Sequence, residues 1–295
     1  MTAMKAPPAV SFEFFPPAQP KAEAQFWDSV DRLAPIGPDF ISLTYGAGGS
    51  TRERNDRVVR ALLRRGDISI AAHLTLAGAC RAELNDLVRG WAAAGLKRIV
   101  ALRGDAPGHA AAFVPHPEGY RSTAEFVAAL RRVADFDISV AAYPECHPQA
   151  ASPAADLDTL KRKLDAGAER AITQFFFEPE CFLRFRDRAV AAGIDKPIVP
   201  GVLPIFDFAK VVEFSRRCRA TVPAWLAARF DGLDGDAETS LLLAAATADE
   251  LCRRLRAEGV EAFHFYTLNR AALTHAVCRS LGVRPSLPAA EEEAA

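Results

Sequence analysis

Eight short runs of apolar and β-branched residues recur along the chain and alternate with helical patterns, and this alternation restricts the possible folds more than any other feature. The runs are Val10–Phe15, Phe40–Tyr45, Ile68–Leu76, Arg98–Leu102, Ile138–Tyr143, Ala171–Phe177, Pro197–Leu203 and Glu261–Tyr266. Most are nearly continuous in hydrophobicity, which is typical of parallel strands that are covered on both faces. The pattern therefore predicts an α/β protein with a parallel sheet.

Helical patterns fill the intervals, with apolar residues at three- and four-residue spacing. Examples are Ala22–Leu33, Thr51–Arg64, Arg81–Ala94, Ser122–Ala134, Leu157–Ala166 and Pro179–Ala192. Successive runs begin about thirty residues apart, the length of one strand and helix. The last two are separated by about sixty residues, which contain two or three helices. Eight such units predict a (β/α)8 TIM barrel with extra helices between strands seven and eight.

An open doubly wound sheet is the alternative fold. Such a sheet usually has fewer strands and a glycine-rich first turn, and no G-x-G-x-x-G follows the first run. Proline and glycine are spread along the chain and do not form a linker. We therefore expect residues 1–295 to form one barrel domain, with frayed ends at residues 1–8 and 288–295.

The charge balance excludes several classes of function. The chain has 36 Lys plus Arg against 37 Asp plus Glu, and it lacks the basic block that binding to nucleic acid or an anionic membrane requires. No apolar stretch approaches a membrane span, and the N-terminal sequence does not resemble a signal peptide, so we expect a cytoplasmic protein. Six scattered cysteines without a C-x-x-C pair indicate reduced thiols, and we expect no metal site.

Polar residues occur where the predicted strands end, which is where barrel enzymes place their active sites. Glu13 lies among phenylalanines, and partial desolvation there would raise the pKa of its carboxyl group toward the range of a general acid. A structural glutamate paired with an arginine is the alternative. Asp105 follows Arg103 and Gly104, and Gly104 would let the backbone approach a ligand closely.

Other candidates allow two interpretations each. Gln174 precedes three phenylalanines, and a buried amide needs partners for both its donor and its acceptor, either from a planar heterocycle or from neighbouring backbone. His73 is either a core histidine or a residue that faces a ligand. Arg162 and Lys163 belong to a charged helix that either forms a solvated face or holds a diphosphate.

Seven motifs, in the same order, resemble those of the methylenetetrahydrofolate reductase family. They are SFEFFPP at 11–17, LTYGAGG at 43–49, LRGD at 102–105, AYPE at 142–145, DAGA at 165–168, ITQFFF at 172–177 and FYTLNR at 265–270. The resemblance extends from about residue 9 to about residue 285 and covers nearly the whole chain. Seven collinear motifs are more specific than any single one of them.

The resemblance implies a flavoprotein oxidoreductase of one-carbon metabolism and methionine biosynthesis. It would reduce 5,10-methylenetetrahydrofolate to 5-methyltetrahydrofolate, with bound FAD and with NADH or NADPH as the hydride donor. The two substrates would use the same flavin face in turn, in a ping-pong cycle. A homo-oligomer is also expected from the family.

Individual roles follow from the same resemblance. Glu13 matches the general acid, and Asp105 matches a carboxylate that stabilises a cationic iminium. The predicted FAD contacts are Thr44, Tyr45, Ala47, His73, Arg103, Gly104, Asp105, Tyr120, Tyr143, His147, Asp156, Thr159, Arg162 and Lys163. The predicted substrate contacts are Gln174, Lys210, Phe214, Tyr266 and Arg270.

Three positions depart from the family pattern. Thr159 and Asp207 each stand where asparagine is expected, and Lys210 stands where glutamine is common. We hypothesise that the charge of Lys210 changes the affinity for folates that carry extra glutamates.

Two other functions are possible on such a barrel. One is a folate- or flavin-binding protein that supports methyl transfer without a reductase cycle. The other is a flavin-free pterin-dependent methyltransferase. Glu13 and Asp105 argue against the first, because a binding protein needs no proton donor, and Arg162 and Lys163 argue against the second.

Overall fold

The structure, a computed structural model, describes residues 6–45, 52–104 and 113–285. Two of the predicted site residues, Ala47 and Asp105, lie outside these ranges. So do residues 1–5 and 288–295 of the predicted frayed ends. Residues 6–8 are described, and the Ala6 carbonyl accepts a hydrogen bond from Arg256.

The described strands form one parallel sheet that curves into a barrel. In chain order they are β1 (Ala9–Phe14), β2 (Phe40–Leu43), β3 (Ile70–Thr75), β4 (Arg98–Leu102), β5 (Asp137–Ala142), β6 (Arg170–Thr173), β7 (Ile198–Val199), β8 (Gly201–Val202) and β9 (Ala262–Tyr266). The pairing order is β7-β6-β5-β4-β3-β2-β1-β9-β8, and each pair is parallel. The predicted α/β barrel is confirmed.

The predicted seventh strand is two short strands, because the ladder breaks at Pro200. Ile198–Val199 pairs with β6 on one side, and Gly201–Val202 pairs with β9 on the other. The Pro200 carbonyl accepts from the His264 N–H, so the N–H that proline lacks would also face β9, and pairing with β9 begins only at Gly201. The segment 198–202 nevertheless brings the two ends of the sheet together and closes the barrel.

Helices follow the strands and cover the outside of the barrel. They are α1 (Pro20–Leu33), α2 (Arg52–Arg65), α3 (Arg81–Ala93), α4 (Thr123–Val133), α5 (Pro153–Asp165), α6 (Pro179–Ala191), α7 (Phe208–Cys218), α8 (Ala224–Phe230), α9 (Ala237–Ala257) and α10 (Ala271–Ser280), and a 3-10 turn spans Ala34–Ile36. Three of them, α7 to α9, occupy the long interval that was predicted to hold two or three helices. No described helix combines the length and apolar character needed to cross a membrane.

Local sequence signals explain several helix starts. The side chains of Ser122, Ser152 and Asp207 accept hydrogen bonds from backbone N–H groups in the first turns of α4, α5 and α7. Such N-caps satisfy donors that have no partner within the helix. Prolines in the first turns of α1, α5 and α6 add the backbone angle that a helix start requires.

The main core lies between the sheet and the helices. Its largest members, among them Phe12, Phe14, Trp91, Phe126 and Phe263, are fully buried. Alternate residues of the same strands point into the barrel, where a smaller apolar layer is formed by Phe40, Ala71, Val100 and Ile172. Burial of both faces explains why the strands read as continuous apolar runs.

An ionic cluster lies inside the barrel at the amino-terminal ends of the strands. The Asp137 carboxylate is 2.7 Å from Arg98 and 2.6 Å from Arg170. Both guanidinium groups lie over the ring of Phe40, at 5.3 and 5.8 Å from its centroid. We refer to Phe40, Arg98, Asp137 and Arg170 as the base cluster. It occupies the end of the barrel opposite to the predicted active site.

Candidate active site

Glu13 points into the barrel near the carboxyl end of β1, and its carboxyl group lies between two histidines. Oε2 is 3.5 Å from Nε2 of His73 on β3 and 3.7 Å from Nε2 of His264 on β9. The Glu13 side chain is 12% exposed, so it is largely removed from water but still open toward the barrel mouth. Among the described residues, these two histidines make the ion-pair contacts to Glu13. The alternative that an arginine pairs with Glu13 is therefore not supported.

His73 is buried, and burial lowers the pKa of its imidazole to about 4, although the charge of Glu13 opposes this shift. The ring is therefore neutral near pH 7. Its Nε2 is also 3.1 Å from the hydroxyl of Ser42 on β2. Beside Glu13 it therefore supplies a neutral hydrogen-bonding group and no compensating positive charge.

His264 is a site residue that the sequence interpretation missed. Its Nδ1 is 2.7 Å from the Ser11 hydroxyl, whereas its buried Nε2 has no hydrogen-bond partner among the described residues. The signal was present in the alternation of β9, where His264 and Tyr266 are two residues apart and share a face. Ser11 and Glu13 have the same relation on β1.

The turn after β9 holds the end of β1 in place. Thr267 Oγ1 donates to the Glu13 carbonyl at 2.6 Å, and the side-chain amide of Asn269 makes two 2.8 Å bonds with the backbone of Phe15. Leu268 and Asn269 both adopt left-handed backbone angles, which are uncommon for residues other than glycine. These contacts position Glu13 through its backbone.

At the end of β4, Gly104 adopts a backbone conformation that would be strained for any other residue. Its φ is 82°, and an added Cβ would lie 2.9 Å from carbon atoms of Thr75 and Ala77. Arg103 extends from the neighbouring position, with one nitrogen 3.4 Å from His147 Nε2 and its guanidinium 5.1 Å from the Phe113 ring centroid. This part of the rim therefore combines close backbone approach with a cation.

A second group of predicted cofactor residues lies along α5 and in the loop that precedes it. The backbone N–H of His147 donates to Asp156 at 2.8 Å, and the rings of His147 and Tyr143 are 4.6 Å apart. Burial raises the pKa of Asp156, and burial lowers the pKa of Lys163 to about 8 despite the attraction of Asp156. The ammonium of Lys163 donates to the Ala141 carbonyl on β5.

Arg162 and Lys163 have different environments although they are adjacent. Arg162 is exposed and contacts Asp158 and the Thr159 hydroxyl, each at 3.0 Å, whereas Lys163 is buried. Thr159 itself donates to the Ala155 carbonyl at 2.9 Å. The departure at Thr159 therefore leaves a hydroxyl beside an exposed guanidinium.

Three other predicted cofactor residues are placed by local contacts. The hydroxyl of the buried Tyr120 donates to Asn85 on α3 at 2.7 Å, so this side chain is directed toward α3. Thr44 follows β2, and its carbonyl accepts a 2.7 Å bond from the buried Asn55. Tyr45 is partly buried against the main core.

The predicted substrate residues form an aromatic wall on the other side of the mouth. Phe214 on α7 stacks on Phe175 at 5.4 Å, and Phe175 meets Tyr266 edge-on at 6.4 Å. Gln174 is only partly buried and lies just beyond β6, whereas the sequence predicted a buried amide within a strand. Its Oε1 accepts from the Phe175 N–H at 3.0 Å, so backbone satisfies part of the amide.

The polar tips of two remaining candidates lie further out. Lys210 is highly exposed, and its ammonium pairs with Asp207 at 2.9 Å. Asp207 also caps α7 through the Lys210 N–H, and these bonds lower the pKa of its carboxyl group. Arg270 is exposed above the Phe206 ring, 5.5 Å from its centroid. The departures at 207 and 210 therefore form one ion pair.

Together these groups can perform acid chemistry next to a planar ligand. A carboxyl group and two imidazoles lie inside the barrel near its mouth, and aromatic rings form one side of that mouth. Basic and polar groups are gathered around Arg103, His147 and Lys163, where an anionic group would be favoured. Among the described residues, no set of three potential ligands is arranged to hold a metal ion.

Several solved structures share this fold at low sequence identity. A protein from Clostridium thermocellum, described as binding two copies of 5-methyl-5,6,7,8-tetrahydrofolic acid, matches with a TM-score of 0.63 and 14% identity over 94% of this chain and 95% of that chain. A dihydropteroate synthase from Xanthomonas albilineans matches with a TM-score of 0.51 and 16% identity, over 96% of this chain and 94% of that chain. At such identities the likeness supports the fold alone.

Sequence relatives are much closer. The chain is 50% identical to 5,10-methylenetetrahydrofolate reductase of Salmonella typhimurium over 94% of this chain and 92% of the relative, with the same figures for the Escherichia coli protein. A probable methylenetetrahydrofolate reductase (NADH) of Oryza sativa is 31% identical over 92% of this chain and 48% of its own length. The family model described as methylenetetrahydrofolate reductase matches residues 2–282. The chain therefore belongs to the methylenetetrahydrofolate reductase family, a family of oxidoreductases.

Proposed function

We propose that this protein reduces 5,10-methylenetetrahydrofolate to 5-methyltetrahydrofolate with NADH or NADPH, through FAD, in a ping-pong cycle. The overall reaction consumes the folate, one NAD(P)H and one proton, and yields 5-methyltetrahydrofolate and NAD(P)+. Glu13 carries the proposal, because a nearly buried carboxyl group between His73 and His264 is suited to deliver that proton. The rice relative is named as NADH-dependent, so NADH is the first donor to test.

The groups around the mouth fit a flavin dinucleotide. Gly104 has no side chain, so its backbone can contact a ligand directly. Another residue would not fit there, because its Cβ would clash with Thr75 and Ala77. Arg103, His147 and Lys163 provide donors and positive charge of the kind that a diphosphate requires. When bound, FAD would accept a hydride from the nicotinamide in one half-reaction and give it up in the other. The predicted contacts at Ala47 and Asp105 would complete this set.

The protein's own residues have separate tasks in the folate half-reaction. Glu13 would protonate a nitrogen of the five-membered ring, which opens to a cationic iminium that can accept a hydride. Asp105 would stabilise this cation by its charge. Gln174 would hydrogen-bond the pterin edge, and Phe214 would stack on a planar ligand while it packs against Phe175.

Glu13→Gln should impair the folate half-reaction and spare the reduction of the flavin. Because only the folate half-reaction needs a proton from the protein, we expect reduction of the flavin by NADH to stay within about threefold of wild type. Oxidation of the reduced flavin by methylenetetrahydrofolate should fall by at least about a thousandfold, within the range of general acid contributions. Anaerobic stopped-flow absorbance measures each half-reaction separately.

Equal losses in both half-reactions would contradict the role of Glu13. Lys161→Gln is a suitable control, because Lys161 lies on α5 and pairs only with Asp165 in the described structure. The same preparations decide the alternative of a binding barrel without a reductase cycle. Such a protein would show no folate-dependent oxidation of reduced flavin in the wild type.

A homo-oligomer remains a further part of the proposal. The family resemblance is its support, and light scattering of the purified holoenzyme would measure it. The same holoenzyme, assayed with NADH and with NADPH, would show which donor is preferred.

A further inference from the structure

After Val199 the backbone ladder between β6 and β7 stops, and side chains make the next hydrogen bonds in its place. The ladder between β6 and β7 starts with the Ala171 N–H donating to the Pro197 carbonyl. The alternation of a parallel pair would then bring the Gly201 N–H to the Thr173 carbonyl. Instead, the Gly201 N–H donates to the Thr173 side-chain oxygen at 2.9 Å.

The Thr173 carbonyl takes its hydrogen bond from Tyr266. The Tyr266 hydroxyl donates to it at 2.6 Å, although Tyr266 belongs to β9 and Thr173 to β6. The tyrosine side chain thus crosses the strand between them. Gly201 makes the crossing possible, because a Cβ there would lie 2.2 Å from the Thr173 carbonyl oxygen and 2.6 Å from the Tyr266 ring.

This bond lies next to the residue that is expected to bind the pterin. Gln174 follows Thr173 directly, and its N–H donates to the Ala142 carbonyl at 2.8 Å. Phe175 then packs edge-on against the same Tyr266 ring. The hydroxyl and the ring of Tyr266 therefore contact the residues on both sides of Gln174.

We propose that the Tyr266 hydroxyl is a positioning group that holds the Thr173–Phe175 segment so that Gln174 can bind the folate. This inference rests on the proposed function and deepens it, because it assigns folate affinity to the bond between Tyr266 and Thr173. It also separates the hydroxyl from direct substrate contact. Burial raises the pKa of Tyr266 well above its usual range, so the hydroxyl remains a donor over the working pH range.

The first experiment compares Tyr266→Phe with wild-type holoenzyme. We expect the KM for methylenetetrahydrofolate to rise about tenfold, which corresponds to the loss of one well-placed hydrogen bond. The folate kcat and the NADH half-reaction should stay within about twofold. An unchanged folate KM would overturn the proposal.

A matched control separates positioning from general loss of stability. Thr247→Val on α9 also removes a hydroxyl that donates to a backbone carbonyl, that of Leu243 at 2.7 Å, but outside the barrel; this hydroxyl also accepts from Arg229 at 3.0 Å. Both variants should lower the melting temperature to a similar extent. Only Tyr266→Phe should raise the folate KM, and an equal rise in Thr247→Val would overturn the proposal.

A double-mutant cycle with Gln174→Ala tests whether the hydroxyl acts through Gln174. If it does, Tyr266→Phe should raise the folate KM by less than about twofold once Gln174 is already replaced. Additive effects would mean that the hydroxyl contacts the folate itself, and they would overturn the proposal. Thr173→Val, which removes the acceptor of Gly201 at the same place, is a second variant with the same expected KM effect.

The outcomes distinguish this inference from the proposed function. Folate-dependent turnover by the wild type and its loss in Glu13→Gln test the function independently of Tyr266. If those results hold and the folate KM of Tyr266→Phe does not change, only the positioning role is wrong. If the wild type does not reduce the folate, the proposed function itself fails.

Discussion

His73 shows how burial decides the charge of a single residue beside Glu13. Its pKa of about 4 lies well below the value near 6.5 that a histidine has in an unfolded chain. Between these two pH values the unfolded chain binds a proton that the folded protein does not. The free energy of unfolding must therefore fall as the pH decreases from about 6.5 to about 4.

Replacement of His73 by glutamine removes this titration and keeps a neutral polar side chain. Between pH 7 and pH 4, wild type should lose about 3 kcal/mol more unfolding free energy than His73→Gln. Urea denaturation at several pH values and constant ionic strength measures the difference. The same pH dependence in both proteins would show that His73 is not held neutral by the fold.

Glu13 and His264 show what a sequence can and cannot reveal about a site. Glu13 could be singled out because its phenylalanine neighbours indicate a desolvated carboxyl group. Its pairing with His264 could not, because these residues lie near opposite ends of the chain and only the closed barrel joins β1 to β9. The same holds for Tyr266 and Thr173.

At the scale of elements, the short strands β7 and β8 are the weakest part of the backbone ladder. The continuous apolar run from Pro197 to Leu203 predicted one strand, and the proline within it divides that strand. The run Ala171–Phe177 was also predicted too long, because Phe175 to Phe177 stay buried after the strand has ended at Thr173. Hydrophobicity reports burial, whereas a strand also needs a partner for each N–H group.

The close packing around β8 predicts a strict requirement for glycine at position 201. We expect Gly201→Ala to lower the free energy of unfolding by at least about 2 kcal/mol, because the new methyl group collides with Thr173 and Tyr266. Gly235→Ala is the matched control, since a Cβ there meets no atom within 4 Å. Thermal unfolding of both variants is the measurement. A melting temperature of Gly201→Ala equal to that of the control would contradict the geometry.

The whole molecule separates stability from chemistry along the barrel axis. The base cluster lies at the amino-terminal ends of the strands, and Glu13 lies near the carboxyl ends. This division could be predicted from the repeated units, because barrels generally place their active sites at the carboxyl ends. The composition of the base cluster could not, since Arg98, Asp137 and Arg170 each read as an ordinary charge at the start of a strand.

Asp137→Asn tests this separation. Loss of the shared carboxylate leaves two adjacent guanidinium groups, and we expect it to lower the unfolding free energy by about 1–3 kcal/mol, since these side chains are about a quarter exposed. The folate and NADH half-reactions should stay within about twofold. Asp86→Asn, which breaks the exposed pair with Arg89, should change stability by less than about 0.5 kcal/mol. A large loss of activity with unchanged stability would argue against the division.

The base cluster also affects how a ligand can reach Glu13. In the described structure, two arginines, an aspartate and a phenylalanine fill the amino-terminal end of the barrel below the apolar layer, so a ligand would reach Glu13 from the carboxyl-terminal mouth. A ligand that enters by this mouth would also leave by it. If two substrates share this site, as we propose, they would bind in succession, and slow release of the first would delay binding of the second.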